Sequence, residues 1–480
     1  MIPLVLDLDG TLVPTDTLVE NLLRVLAEKP LALIRAVSGL AVSRATFKHR
    51  LAEAVRLDPA RLVYNPQVVA LARQASAEGR PVFLATAADQ TIADAVAGHL
   101  GLFDAAWGSD GTTNLKGAAK AEMLVRRFGA GNFDYAGDSA ADRAVWAQAR
   151  RAILVAPSAA LLRQVIADAH KRPEDIITVG SLKRTLSLAR PLARALRLHQ
   201  WAKNVLLFVP MVAAHKVQAP VVLAACLAFL SFSLCASSVY VVNDLLDLPH
   251  DRAHPSKRRR PFASGALNLA QAPALVAILL ALTLAAAVAL PLRFMLMLAI
   301  YYVCTLAYSF VLKRRMVWDV MMLAGLYTIR IFAGAAATRI PISPWLLALA
   351  LFLFFCLAVV KRLTELTLFV RGSPPAGRAL AGRAYGPEDL DMLRSMATSS
   401  GYMAVLVMAL YVNSGEVLPL YHTPAALWAL CPILLFWVSR VLMLANRGLM
   451  NDDPVVFALR DRVSLLAGLA ALLAIVAATL

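Results

Sequence analysis

Residues 243–265 read NDLLDLPHDRAHPSKRRRPFASG, and they follow directly on the apolar run 219–242. Acids at the end of a membrane-length helix are costly unless they have a task. Asn243, Asp247 and Asp251 are spaced i, i+4, i+8 with Asp244 beside them, so on a helix their oxygens would share one face and suit Mg²⁺ on a diphosphate. Pro249 would clash with a helix running through it, which leaves Asp251 either on that face or on a turn. The basic run that follows, His254, Lys257 and Arg258–Arg260, either holds phosphates or only reports the side of the membrane on which the loop lies.

Working outward from this loop, the composition is that of a membrane protein, with 59% hydrophobic residues and a mean hydropathy of +0.65. Nine apolar segments are expected to span, near 204–217, 219–242, 271–290, 293–311, 319–337, 343–360, 400–414, 424–439 and 463–480. With the amino terminus inside, the inner loops hold 18 Lys/Arg and the outer ones only Lys216, Arg293 and Arg339, and of the acids beyond 176 only Glu416 lies outside. This bias predicts cytoplasmic chemistry. The net charge of +17 belongs almost wholly to residues 176–480, which carry 28 Lys/Arg against 12 Asp/Glu, whereas residues 1–175 carry 20 against 19. Basic residues set between apolar runs point to lipid headgroups and phosphorylated substrates rather than to nucleic acid. The five cysteines lie in apolar stretches without metal-ligand spacing and are expected in the core. The start MIPLVLDLDG lacks the features of a signal peptide.

Residues 1–175 alternate short apolar runs with helix-like stretches, the pattern of a soluble α/β domain on a parallel sheet. A basic segment over 176–203, with Lys183, Arg184, Arg190, Arg194 and Arg197 among leucines, suits a helix on an anionic membrane surface or a solvated linker, and the transmembrane domain is expected over 204–480. The first apolar run ends in Asp7-Leu8-Asp9-Gly10-Thr11, two carboxylates able to share a Mg²⁺ ahead of a turn glycine. Downstream come Thr86 after VFLA, Lys120 opening a helical stretch, and Gly137-Asp138-Ser139 with Asp142 four residues on.

In this order and context the set resembles the haloacid-dehalogenase (HAD) phosphatases, which implies a Rossmann-like domain. The resemblance implies that Asp7 attacks phosphorus, that Asp9 acts as acid and base, and that Asp138 and Asp142 hold Mg²⁺ with Asp7 and Asp9. Thr86 and Lys120 would bind the phosphoryl oxygens, with Lys116 as the alternative lysine. The 76 residues between Asp9 and Thr86 leave room for a small helical cap and a bulky or membrane-borne substrate.

The second half resembles the UbiA superfamily of membrane transferases, an all-α polytopic fold. NDLLDLPHD is similar to its first Asp-rich motif, and the span pattern covers 185–480. LHQWAKN (with Lys203), the DxxHPxKxxRP pattern from Asp251 to Pro261, and YSFVLKRRMVWDV (Tyr308, Lys313, Asp319) resemble the branch of decaprenyl-phosphate phosphoribosyltransferases. Where aromatic prenyltransferases carry a second Asp-rich motif this chain has VVKRLTEL, whose Lys361 and Arg362 suit phosphate better than metal. Arg330, inside the fifth span, either pairs with a buried acid or receives a lipid phosphate. Asp452, Asp453 and Asp461 are candidates to close the site or are solvated loop charges.

Together these imply a multi-pass bacterial inner-membrane enzyme that moves 5-phosphoribose from phosphoribosyl diphosphate to a polyprenyl phosphate. Asp244, Asp247 and Asp251 would hold Mg²⁺. Lys203, Asn243, Lys257, Arg260, Tyr308, Lys313, Arg330, Lys361 and Arg362 would contact substrate, and the fused phosphatase would act on the product. The alternatives are a prenyltransferase joining a polyprenyl diphosphate to an aromatic or other small acceptor, and a lipid-phosphate-binding transporter or regulator with an inactive phosphatase domain.

Overall fold

The computed structural model describes residues 1–168, 173–180, 189–254, 257–372, 384–415, 417, 420–450 and 453–480. Lys183, Arg184, Glu416 and Asp452, all named above, lie outside the described residues. The chain divides into two compact units, Met1–Leu196 with Tyr240–Leu275, and Arg197–Val239 with Val276–Leu480.

The first unit is built on a six-stranded sheet in the order β3-β2-β1-β4-β5-β6, with β1 Leu4–Leu6, β2 Val82–Asp89, β3 Ala105–Ser109, β4 Asp134–Gly137, β5 Ala152–Val155 and β6 Ile176–Val179. Every pairing is parallel, so each connection is a crossover, and ligands collect beyond the carboxyl ends of the strands. The central strand β1 lies between β2 and β4, which puts Asp7 just past β1, Thr86 on β2 and Asp138 just past β4, on neighbouring strand ends. The expected division at 175 falls just before β6, which pairs with β5.

Between β1 and β2 stands the helical cap: α1 Thr17–Glu28, α2 Pro30–Ser38 and α3 Arg44–Ala54. Asp16 caps α1 by accepting from the Leu18 and Val19 amides, Ser43 caps α3, and Pro30 opens α2 where a missing N–H costs nothing. Val25, Ala36, Leu51 and Val55 form a small core of its own.

The loop 240–275 packs with this unit, a placement that hydropathy does not foresee. Its anchor is Arg252, whose two terminal nitrogens each donate to a Glu20 carboxylate oxygen of α1 at 2.8 Å. Both side chains are buried. Arg252 also donates to the carbonyls of Arg61 and Ala263.

Among the described residues, eight helices are long and apolar enough to cross a membrane, from Ala219–Leu246 to Arg462–Thr479. They match eight of the nine expected segments. The first, 204–217, is instead a 3₁₀ helix over Leu198–Phe208 followed by the short helix Val209–Ala213. Lys203 and Asn204 lie buried in it, and such irregular backbone is tolerated at membrane depth only inside protein. Close approach is possible because Gly334, on the helix Trp318–Thr338, has no side chain: a Cβ there would stand 2.0 Å from the Leu207 carbonyl oxygen. The core of the second unit lies among Trp318–Thr338, Pro344–Arg371, Leu390–Val412 and Leu430–Asn446.

Candidate functional site

The acids expected at the first site assemble at the end of β1. Ligand oxygens of Asp7, Asp138 and Asp142 lie within 4.8 Å of one another. Two glycines make this possible. Gly10 has φ +77°, and a Cβ on it would lie 2.4 Å from the Asp138 carboxylate; a Cβ on Gly137 would lie 2.8 Å from that of Asp142. Lys120 is buried, with its Nζ 2.9 Å from Asp7 Oδ1 and 2.8 Å from the Tyr135 hydroxyl. Lys116 is exposed, so Lys120 is the lysine of this site. Tyr135 in turn donates to Asp142 Oδ1 at 2.8 Å. Sequence reasoning missed it, because an aromatic residue in FDYAGD reads as strand core.

Burial raises the Asp7 carboxyl to about 6 against the pull of Lys120. Burial, and then the charge of Asp16, raises Asp9 to about 7. Asp9 was expected among the metal ligands, but it is not one of the converging three: its Oδ1 accepts from the Thr17 amide at 2.8 Å. A carboxyl fixed beside Asp7 and holding its proton near neutrality can serve as general acid. Thr86 is fully buried on β2, its hydroxyl accepting from the Ala88 amide at 3.0 Å.

In the same unit, the Asp-rich segment continues as helix past Asn243. The amides of Asp247 and Asp251 donate to the carbonyls of Asn243 and Asp247, each at 2.9 Å. Pro249 does not end the helix; it lies in the first turn of a new short one, Leu248–Ala253, and Asp251 sits on that helix rather than on a turn. Asn243 donates to Asp247 at 3.1 Å. Between Asp244 and Asp251 stands Arg260, one guanidinium nitrogen at 3.1 and 2.6 Å from their oxygens. The residue expected to grip phosphate is therefore a cation held by the acids expected to grip metal. Burial raises Asp251 to about 6 despite Arg260. Lys257 is exposed in the adjoining 3₁₀ turn.

The second unit gathers cations. Lys203 is ion-paired to Asp453, and Lys361 Nζ lies 3.7 Å from the same carboxylate. Burial would raise the Asp453 carboxyl, but Lys361 and Lys203 outweigh it and hold it well below the usual range. Tyr327 links this group to Arg330: its hydroxyl donates to Asp453 at 3.4 Å, and Lys203 Nζ and the Arg330 guanidinium carbon each lie 5.7 Å from its ring centroid. Arg330 is buried and donates to Asn204 Oδ1 at 2.9 Å, to the Leu326 carbonyl and to the Tyr301 hydroxyl. Among the described residues, its hydrogen-bond partners are neutral. Two lysines thus share one carboxylate, and the Tyr327 ring joins Arg330 to the group.

Arg362 and Tyr308, expected to contact substrate, have another occupation. Arg362 is fully buried and paired with Asp319 and Glu365, and it donates to the Tyr308 hydroxyl at 2.7 Å while Tyr308 donates to Asp319 Oδ1 at 2.9 Å. This network joins three helices, Leu292–Phe310, Trp318–Thr338 and Pro344–Arg371, and occupies Arg362. Lys313 is buried in the 3₁₀ turn Leu312–Arg314. Asp461, the other loop acid considered, caps the last helix and pairs with Arg440.

The family model described as the UbiA prenyltransferase family matches residues 205–459. The uncharacterized protein y4nM of Sinorhizobium fredii is 37% identical over 96% of this chain and 88% of its own length. The decaprenyl-phosphate phosphoribosyltransferase of Mycolicibacterium smegmatis is 30% identical over 61% of this chain and 93% of its own. A phosphoserine phosphatase solved with an analogue of its phospho-aspartyl intermediate is similar over 38% of this chain and 95% of that one, with a TM-score of 0.27 and 17% identity.

Proposed function

Because the chain belongs to the UbiA prenyltransferase family, we propose that it works at the bacterial inner membrane, with both sites cytoplasmic. There it transfers 5-phosphoribose from phosphoribosyl diphosphate to a polyprenyl phosphate, and its amino-terminal domain then removes the 5-phosphate. The observation that carries this reading is the cation group in the second unit: Lys203 and Lys361 share the Asp453 carboxylate, and the hydrogen-bond partners of buried Arg330 among the described residues are neutral. A buried cation without a counter-charge is expensive, so this group calls for an anionic ligand. Phosphate fits that need, and Arg330 presents a guanidinium with which to bind it. The likeness to a decaprenyl-phosphate phosphoribosyltransferase over most of that relative supports the same substrates.

Both acid groups suit Mg²⁺. Asp7, Asp138 and Asp142 offer hard oxygens at the right separation, and between Asp244 and Asp251 the Arg260 guanidinium already stands in for a cation. Bound there, Mg²⁺ would supply neutralisation of phosphoryl charge. In transfer, Asp244, Asp247, Asp251 and Asn243 bind the leaving diphosphate, and Arg260, released from the acids, adds a fork of donors. The polyprenyl phosphate oxygen forms a bond to the anomeric carbon as the bond to diphosphate breaks. In hydrolysis, Asp7 bonds to phosphorus, the ester oxygen leaves with the Asp9 proton, and Lys120 and Thr86 hold the equatorial oxygens. Asp9 then takes a proton from the water that releases phosphate.

The test is incubation of purified protein with Mg²⁺, radiolabelled phosphoribosyl diphosphate and polyprenyl phosphate, followed by extraction. Label should enter the organic phase, and the lipid should then lose its remaining phosphomonoester. No labelled lipid from this pair, together with prenyl transfer from a polyprenyl diphosphate to an aromatic acceptor, rejects the proposal.

A further inference from the structure

The phosphatase cap carries a face that neither reaction uses. In α2 and the 3₁₀ turn Gly39–Ala41 that continues it, Ala36 and Gly39 are buried toward the cap core. The opposite side is apolar and open: Leu31 is 79% exposed, Ile34 70% and Val42 72%, with Val37 and Leu40 about half exposed between them. Positions 31, 34 and 37 follow the helical repeat, so they form one stripe rather than scattered residues. A stripe of large apolar side chains on the outside of a domain marks an interaction surface.

Charge identifies what it meets. From Lys29 to Ala52 the sequence holds Lys29, Arg35, Arg44, Lys48 and Arg50 and not one Asp or Glu. Lys29, Arg35 and Arg44 are exposed beside the apolar residues. Apolar residues set among these cations, with the acids Glu28, paired to Arg24, and Glu53 only at the ends of the stretch, match an anionic lipid surface, where the side chains enter the acyl boundary and the bases meet headgroups. The chain is itself multi-pass, so a bilayer is tethered to this domain and a marginal surface suffices to hold it. We propose that the cap docks on the anionic bilayer through Leu31, Ile34, Val37 and Val42. The inference does not depend on which lipid the enzyme uses.

Full-length protein carrying the photo-crosslinker p-benzoylphenylalanine at Ile34, or in a second variant at Leu31, is reconstituted in phosphatidylcholine vesicles containing tritiated phosphatidylglycerol. Gln74, exposed on the helix Pro66–Ala77, serves as the control position. On illumination, tritium should enter the protein from either cap position well above the control. It should fall by up to about fivefold with each of Arg35→Gln and Arg44→Gln, the effect of one base at an anionic surface. Tritium no higher at both cap positions than at Gln74 overturns the proposal. So does a cross-linked dimer in place of labelled lipid, which would assign the stripe to a second copy of the chain.

Discussion

Removing either partner of the Glu20–Arg252 pair should destabilise the amino-terminal unit more than any exposed ion pair in it. Both side chains are buried and joined by two 2.8 Å hydrogen bonds, so Glu20→Ala leaves a guanidinium desolvated and Arg252→Ala leaves a carboxylate. Breaking such a pair from one side costs ~3–5 kcal/mol. At ~2–4 °C per kcal/mol for a unit of this size, the midpoint should fall by roughly 6–20 °C. The double variant should lose less than the sum of the singles, because no orphan charge remains. Arg24–Glu28, with the glutamate half exposed, gives the contrast: Glu28→Ala should move the midpoint by about 3 °C at most. The assay is thermal inactivation of phosphomonoester hydrolysis by the detergent-solubilised full chain at one heating rate. Single variants that behave like Glu28→Ala, or a double variant equal to the sum, would refute the reasoning.

Asp7→Asn should abolish phosphate release while phosphoribosyl transfer, read as label in the organic phase, continues. Lys120→Met should lower hydrolysis by about 10²–10³-fold, the loss typical of one donor on a developing oxyanion, while the exposed Lys116→Met should leave it within about twofold, the range of a neutral surface change. Arg330→Met should lose transfer without losing thermal stability, because a buried cation with neutral partners costs more than the apolar side chain replacing it; a lower midpoint would make Arg330 a structural residue instead. In a variant lacking the native cysteines, Lys257→Cys and Asp391→Cys should react with a membrane-impermeant thiol reagent only from the cytoplasmic side, and labelling from outside intact cells would reverse the topology.

Asp7, Asp138 and Lys120 were legible because each is placed by its own strand end or helix start, and those positions are local facts of the sequence. The α/β pattern of the first part and eight of the spans could be read for the same reason. The stretch 204–217 could not, since hydropathy scores its composition and not Gly334, which lies more than a hundred residues away and makes room for it. Arg362 illustrates the other limit. A cation on a span end points to phosphate until its partners are known, and Asp319, 43 residues earlier, is brought to it only by helix packing. Tyr135, Tyr327 and the Glu20–Arg252 pair left no signal, because an aromatic in a strand or a charge on a cap helix looks the same with or without such a role.

The Glu20–Arg252 pair also sets a timetable. Its partners are 232 residues apart, and at bacterial or slower rates of synthesis the ribosome needs roughly 10–50 s to travel that far. Late in that interval the strands through β6 and the cap have been made, and Glu20 has the Thr15 hydroxyl as partner but not yet Arg252, which is synthesised only after the helix Ala219–Leu246. Until then the nascent amino-terminal domain lacks one buried ion pair and is less stable by that pair.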